Sequence, residues 1–131
     1  MEDGMSSEEI ALAFVEAVNA EDVEALGALM AEDYVFTDSL GGSFAGRAQM
    51  MQGWRYFFTA YPFYRIEVEQ VLSRGATVAL FGEAVGGWRI DGKVLEKRWT
   101  VRAAWLAEVK DGKVSHWSVF CDTGWGMPPA D

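Results

Sequence analysis

Over the first sixty residues the apolar positions recur at helical spacing, and beyond Pro62 they alternate residue by residue. Ile10, Phe14 and the Ala17/Val18 pair fall on one side of a 3.6-residue period, so residues 7–19 read as an amphipathic helix. Ser6 and Glu9 have the spacing of a capping box, which occupies free amides at a helix start. The period breaks from Asn19 to Asp22, and Asp22 is placed to cap a second helix carrying Val23, Leu26, Leu29 and Met30. A third helix is expected over residues 46–61, with Met50, Met51, Trp54, Phe57 and Phe58 on its apolar side. Pro62 ends it, because proline cannot continue a helix.

Between the second and third helices lies DYVFTDSLGG, residues 33–42. A strand over 33–39 would point Tyr34, Phe36 and Asp38 to one face before the turn at Gly41-Gly42. Downstream, Tyr64, Ile66 and Val68 alternate with Arg65, Glu67 and Glu69, as in a half-buried antiparallel strand. Three more strands are expected at 77–90, 93–109 and 113–122, joined by the hairpin signals Asp91-Gly92 and Asp111-Gly112. Helices followed by a curved antiparallel meander make an α+β domain, with the helices packed on one sheet face.

Face chemistry selects a register for the last hairpin. With a three-residue loop, Lys110-Asp111-Gly112, Trp105 pairs with Trp117, Ala103 with Val119 and Val101 with Cys121. That leaves one face wholly apolar and sends Arg102, His116 and Ser118 to the other. Gly82 and Ala84 on the preceding strand are small. They can leave a cavity opposite Trp99 and Trp105, mark a bend or bulge at Gly82, or do both.

Composition narrows the class. At 131 residues the chain is one domain, and with half its residues hydrophobic it is not disordered. A net charge of -9 argues against nucleic acid as a partner. The apolar runs are far shorter than the roughly 20 residues that span a bilayer, and the acidic start, MEDGMSSEE, is unlike a signal peptide. The single cysteine, Cys121, cannot form an internal disulfide, and a cytoplasmic protein is expected. One His and one Cys on opposite faces do not make a metal site.

The fragments AFVEAVNAEDVEALGALMAEDYVFTDSLGG, GRAQMMQGW, YRIEVEQVLSRG and VKDGKVSHWSVFCD, in that order, resemble the nuclear transport factor 2-like superfamily. The resemblance is greatest to its ketosteroid isomerase-like and SnoaL-like polyketide cyclase branches and covers nearly all of residues 7–122. It implies a cone-shaped α+β barrel around a deep pocket, no cofactor, and a homodimer formed through the outer sheet face. Asp38 matches the position where the isomerases keep a general-base aspartate, which would abstract a proton alpha to a carbonyl in an apolar ligand. Phe14 stands where they have a tyrosine that donates to the oxyanion, and Trp105, or Ala104 one residue away, where they have a protonated acid. A phenyl ring cannot donate, so the resemblance retains the base without the oxyanion hole. The positions matching an epoxide hydrolase's Asp-Arg-Asp set fall near Gly82, Ala84 and Val119, and the histidine of a dehydratase is absent from the inner face.

The expected ligand wall is Phe14, Tyr34, Trp54, Phe58, Tyr61, Trp105, Trp117, Val119 and Cys121. Each has a plainer structural role. Asp38 can cap its own turn, the aromatics can fill a core, and Cys121 can pack as a small hydrophobe. Tyr64 is a further hydroxyl that could meet a bound carbonyl, Glu83 and Arg102 read as a surface or dimer ion pair, and Trp88 and Trp125 as covers of the mouth. The rival to an enzyme is a non-catalytic module that binds a small apolar ligand or a partner protein in the same cone.

Overall fold

In the computed structural model, which describes residues 4–122, helices α1 (Ser7–Asn19), α2 (Val23–Leu29) and α3 (Arg47–Ala60) pack on one face of a bent sheet. Both expected caps form. The Glu9 amide donates to Ser6 Oγ at 3.1 Å while the Ser6 amide donates to Glu9 Oε1 at 2.8 Å, and Asp22 Oδ1 accepts from Ala25 at 3.0 Å. Asn19 clamps the end of α1 to the sheet with two bonds to the Ile66 backbone, at 3.0 and 2.8 Å.

The sheet strands are β1 (Met30–Thr37), β2 (Ser43–Ala45), β3 (Arg65–Arg74), β4 (Thr77–Gly86), β7 (Trp99–Lys110) and β8 (Lys113–Cys121). They lie in the order β2-β1-β8-β7-β4-β3, and the short strands β5 (Arg89–Ile90) and β6 (Lys93–Val94) form a separate hairpin. The sheet is mixed, not purely antiparallel, because β1 runs parallel to β8. Alternation within a strand shows which face is buried but not which neighbour it will meet, so this partner was not visible in the pattern.

Two expected long strands are also cut. At Gly86-Gly87 the chain leaves the ladder: the Gly87 amide donates to the Pro62 carbonyl, and Trp99 Nε1 donates to the Gly87 carbonyl at 2.9 Å. The Asp91-Gly92 turn, with φ of 52° and 78°, then closes its own small hairpin.

The last hairpin corrects the expected register. Its loop has two residues, Asp111-Gly112, at φ of 52° and 77°, and Lys110 faces Lys113. A bulge follows at once. Val109 faces Val114 but Glu108 faces His116, so Ser115 is the extra residue, with its hydroxyl bound to the Glu108 carbonyl at 3.2 Å. Trp105 therefore opposes Val119, Ala103 opposes Cys121, and Ala107 opposes Trp117. Beyond the bulge the strands slip by two residues from the expected pairing, which leaves Ala103, Trp105, Trp117, Val119 and Cys121 on the face assigned to them, whereas Val114, on the turn side of the bulge, faces inward opposite Val109.

A second bulge falls in β3 between Val68 and Gln70, opposite Gly82. A Cβ at Gly82 would collide with the Glu67 carbonyl oxygen, so glycine is what admits the bulge. The bend and the space above Ala84 thus occur together. Among the described residues no helix is long and apolar enough to cross a membrane.

Candidate functional site

The inner sheet face and α3 enclose a cavity of about 450 Å³. Helix α3 supplies Met50, Gly53, Trp54 and Phe57, three or four residues apart and hence on one side of the helix. The sheet supplies Ala84, Trp99, Val101, Ala103, Trp105, Trp117, Val119 and Cys121. The open space lies over the small residues: Ala84 opposes Val101, and Ala103 opposes Cys121, with large indoles on either side. Phe36, Ser39, Phe44, Gln49 and Tyr56 complete the wall, Tyr56 and Phe44 being largely exposed at its rim. Tyr64, just before β3, packs edge-on against Phe57 with ring centres 4.7 Å apart.

Of the wall expected from the sequence, Trp54, Trp105, Trp117, Val119 and Cys121 line this cavity. Phe14, Tyr34, Phe58 and Tyr61 do not; they form a layer behind it. Phe14 is fully buried, 4.5 Å from Trp117 and 6.1 Å from Tyr34 between ring centres. Phe58 backs Trp54 at 5.4 Å, and Tyr61 backs Phe57 at 5.1 Å. Tyr64, expected as a hydroxyl for a bound carbonyl, and Trp99, expected beside a cavity, line it as well, and the residues left out of the expected wall, among them Gln49, Met50, Gly53, Tyr56 and Phe57, come largely from α3. Helical period marked the α3 residues as apolar without showing which of them would face open space.

Asp38 is half-buried at the turn after β1 and is not among the cavity-lining residues. Its Oδ1 accepts from the amides of Leu40 and Gly42, at 3.0 and 2.9 Å, and the turn is closed by two further backbone bonds. Oδ2 accepts no hydrogen bond among the described residues, and the adjacent Ser39 lines the cavity. Phe36, two residues earlier, lines the wall as well, so the aromatic face foreseen for this strand reaches the cavity at Phe36. Trp88 is buried outside the wall, and Trp125 lies outside the described residues. On the outer face Glu83 and Arg102 stand opposite each other with no ion pair between them within one chain, and His116 Nε2 bonds Thr37 Oγ1 at 2.8 Å.

Two tyrosine hydroxyls are strongly perturbed. Burial pushes the Tyr34 pKa well above the usual phenol value. The Trp54 indole N–H lies close enough to offset part of that, yet neither Tyr34 Oη nor Trp54 Nε1 has a hydrogen-bond partner. Burial likewise raises the Tyr64 pKa, the Cys121 thiol raises it further, and the Trp105 indole N–H offsets a part. Both phenols therefore remain protonated through the neutral range.

Three helices on a bent mixed sheet, closing over an apolar cavity, define the nuclear transport factor 2-like class of fold. Within that class the chain belongs to the SnoaL-like domain family, whose profile matches residues 11–117. Solved structures share the architecture at low identity. A polyketide cyclase candidate from Pseudomonas putida KT2440 has a TM-score of 0.83 at 20% identity, over 93% of this chain and 96% of its own. A nuclear transport factor 2-like protein from Burkholderia thailandensis E264 has a TM-score of 0.80 at 22% identity, over 95% and 99%. A protein of ketosteroid isomerase-like fold from Catenulispora acidiphila DSM 44928, in complex with trimethylamine, has a TM-score of 0.75 at 22% identity, over 91% and 89%. No curated protein matches the chain.

Proposed function

We propose that this protein takes up a small, flat, largely apolar molecule in the cone. The carrying observation is the wall. Nine of its eighteen residues are aromatic and none is charged, around a volume in the range of small-molecule sites, roughly 300–1,000 Å³. Apolar area drives such binding, and aromatic faces favour a planar partner. Titration with naphthalene, followed by tryptophan fluorescence, is expected to saturate. Ala103→Leu, which fills the cavity from its wall, is expected to abolish the signal change while the protein stays folded. A linear, unsaturable response from the wild type would sink the proposal.

A catalytic version of this reading makes Asp38 the general base. It is favoured by the uncommitted Oδ2 beside the cavity-lining Ser39. Proton transfer from a carbon alpha to a ketone then needs no cofactor. In D2O, 1-tetralone should exchange its alpha protons for deuterium faster with the wild type than with Asp38→Asn. Equal rates would remove Asp38 from the chemistry and leave a binding module.

A homodimer through the outer sheet face belongs to the same proposal. Phe81, Ala104 and Phe120 align in one row across three strands, with Phe81 39% and Phe120 56% exposed. Light scattering on the wild type and Phe120→Glu tests it. A monomeric wild type refutes it.

A further inference from the structure

Deepening the cavity reading, and resting on it, we infer that Tyr64 and Trp105 form the cavity's polar end, so that the ligand carries one hydrogen-bond-accepting oxygen on its flat frame. Both residues line the cavity and both are more than nine-tenths buried, at 8% and 1% exposure. The Trp105 N–H lies close enough to Tyr64 Oη to lower its pKa, which leaves the Tyr64 O–H proton for a ligand, and neither atom is among the polar atoms sealed in without a partner. The other wall indoles differ in a way that matters. Trp99 spends its N–H on the Gly87 carbonyl at 2.9 Å, and the Trp54 N–H is sealed.

The chemistry of this end is one-sided. An indole N–H only donates, and a phenol that stays protonated has a proton to give. Cys121 beside them is a weak donor. No carboxylate lines the wall to receive a ligand's own donor. A ketone-type oxygen complements such an end, while a pure hydrocarbon would leave the buried Tyr64 donor without an acceptor. On α1 the corresponding position holds Phe14, which cannot donate and lies behind the wall. Tyr64 approaches from the start of β3 instead. Tyr64 and Trp105 are thus specificity residues; no covalent step is assigned to them.

The test compares 1-tetralone with tetralin, the same two-ring frame with and without the oxygen, by ligand-observed NMR titration. The wild type is expected to hold tetralone about tenfold tighter, the scale of one or two well-made hydrogen bonds. Tyr64→Phe removes a single oxygen atom and should shrink that preference to about twofold while leaving tetralin affinity unchanged. Trp105→Phe should shrink it in part. Equal affinity of the wild type for both compounds overturns the polar end and leaves the apolar cavity standing. So does a preference that survives both substitutions. Failure of the wild type to bind either compound overturns both readings together.

Discussion

Tyr34 with Trp54, and Tyr64 with Trp105, are the same chemical pair in two settings. In the first, Phe14 covers Tyr34, the Trp54 ring borders the cavity but its N–H is sealed off from it, and both polar atoms go without a partner. The second sits on the wall of a cavity of about 450 Å³. A sealed, unpaired donor loses its water and gains nothing, a penalty of about 1–3 kcal/mol. A donor facing a cavity keeps the option of a ligand. What separates the two is not the residues but their neighbours: Ala84, Ala103 and Cys121 leave room over the sheet, whereas the Phe14 ring packs on Tyr34 and Trp54.

The largest effect should come from breaking the sealed side. Phe14→Ala removes a ring that contacts Tyr34, Trp54 and Trp117, and is expected to cost about 3–5 kcal/mol in urea unfolding. Val119→Ala, on a wall that already borders space, should cost only about 1 kcal/mol. Equal costs would mean that the cavity side is as tightly packed as the layer behind it. Gly82→Ala is next. Its Cβ would meet the Glu67 carbonyl, so the β3 bulge must shift, at about 2–3 kcal/mol by the same measurement.

Alkaline pH acts on both pairs. The folded-state pKa of each phenol lies above its unfolded value near 10, so the folded protein retains protons that the unfolded chain loses. This stability is fully present below pH about 10 and falls as pH rises beyond it. Thermal unfolding between pH 8 and 11 should show the decline, and Tyr34→Phe with Tyr64→Phe should flatten it. An unchanged slope in the double variant would place the alkaline loss elsewhere. The smallest effect is expected from Tyr34→Phe alone at neutral pH. Deleting an unpaired hydroxyl should be neutral or stabilising within about 1 kcal/mol. A loss of 2 kcal/mol or more would reveal a partner for that hydroxyl, such as a buried water.

Much of this architecture could be read from residue order. The Ser6/Glu9 box and Asp22 located two helix starts because caps are local chemistry, and period-two alternation located the inner face because the pleat imposes it. What stayed hidden was non-local. The parallel partner of β1 and the extra residue at Ser115 depend on how distant segments meet. Trp54, Trp105 and Trp117 could be named as wall residues from their faces, whereas Phe14 and Tyr34 share that inward direction and still end up behind the wall. Direction is written in the pattern. Depth depends on the volumes of side chains brought together only by the fold.

The most direct test of the open pair is a crystal structure of the protein soaked with 1-tetralone. The account predicts the rings between α3 and the inner sheet face, with the ketone oxygen about 2.7–3.2 Å from Tyr64 Oη or Trp105 Nε1. A ligand seated there with its oxygen turned to the rim at Ser39, or an indole of Trp54 or Trp117 filling the cavity instead, would contradict it.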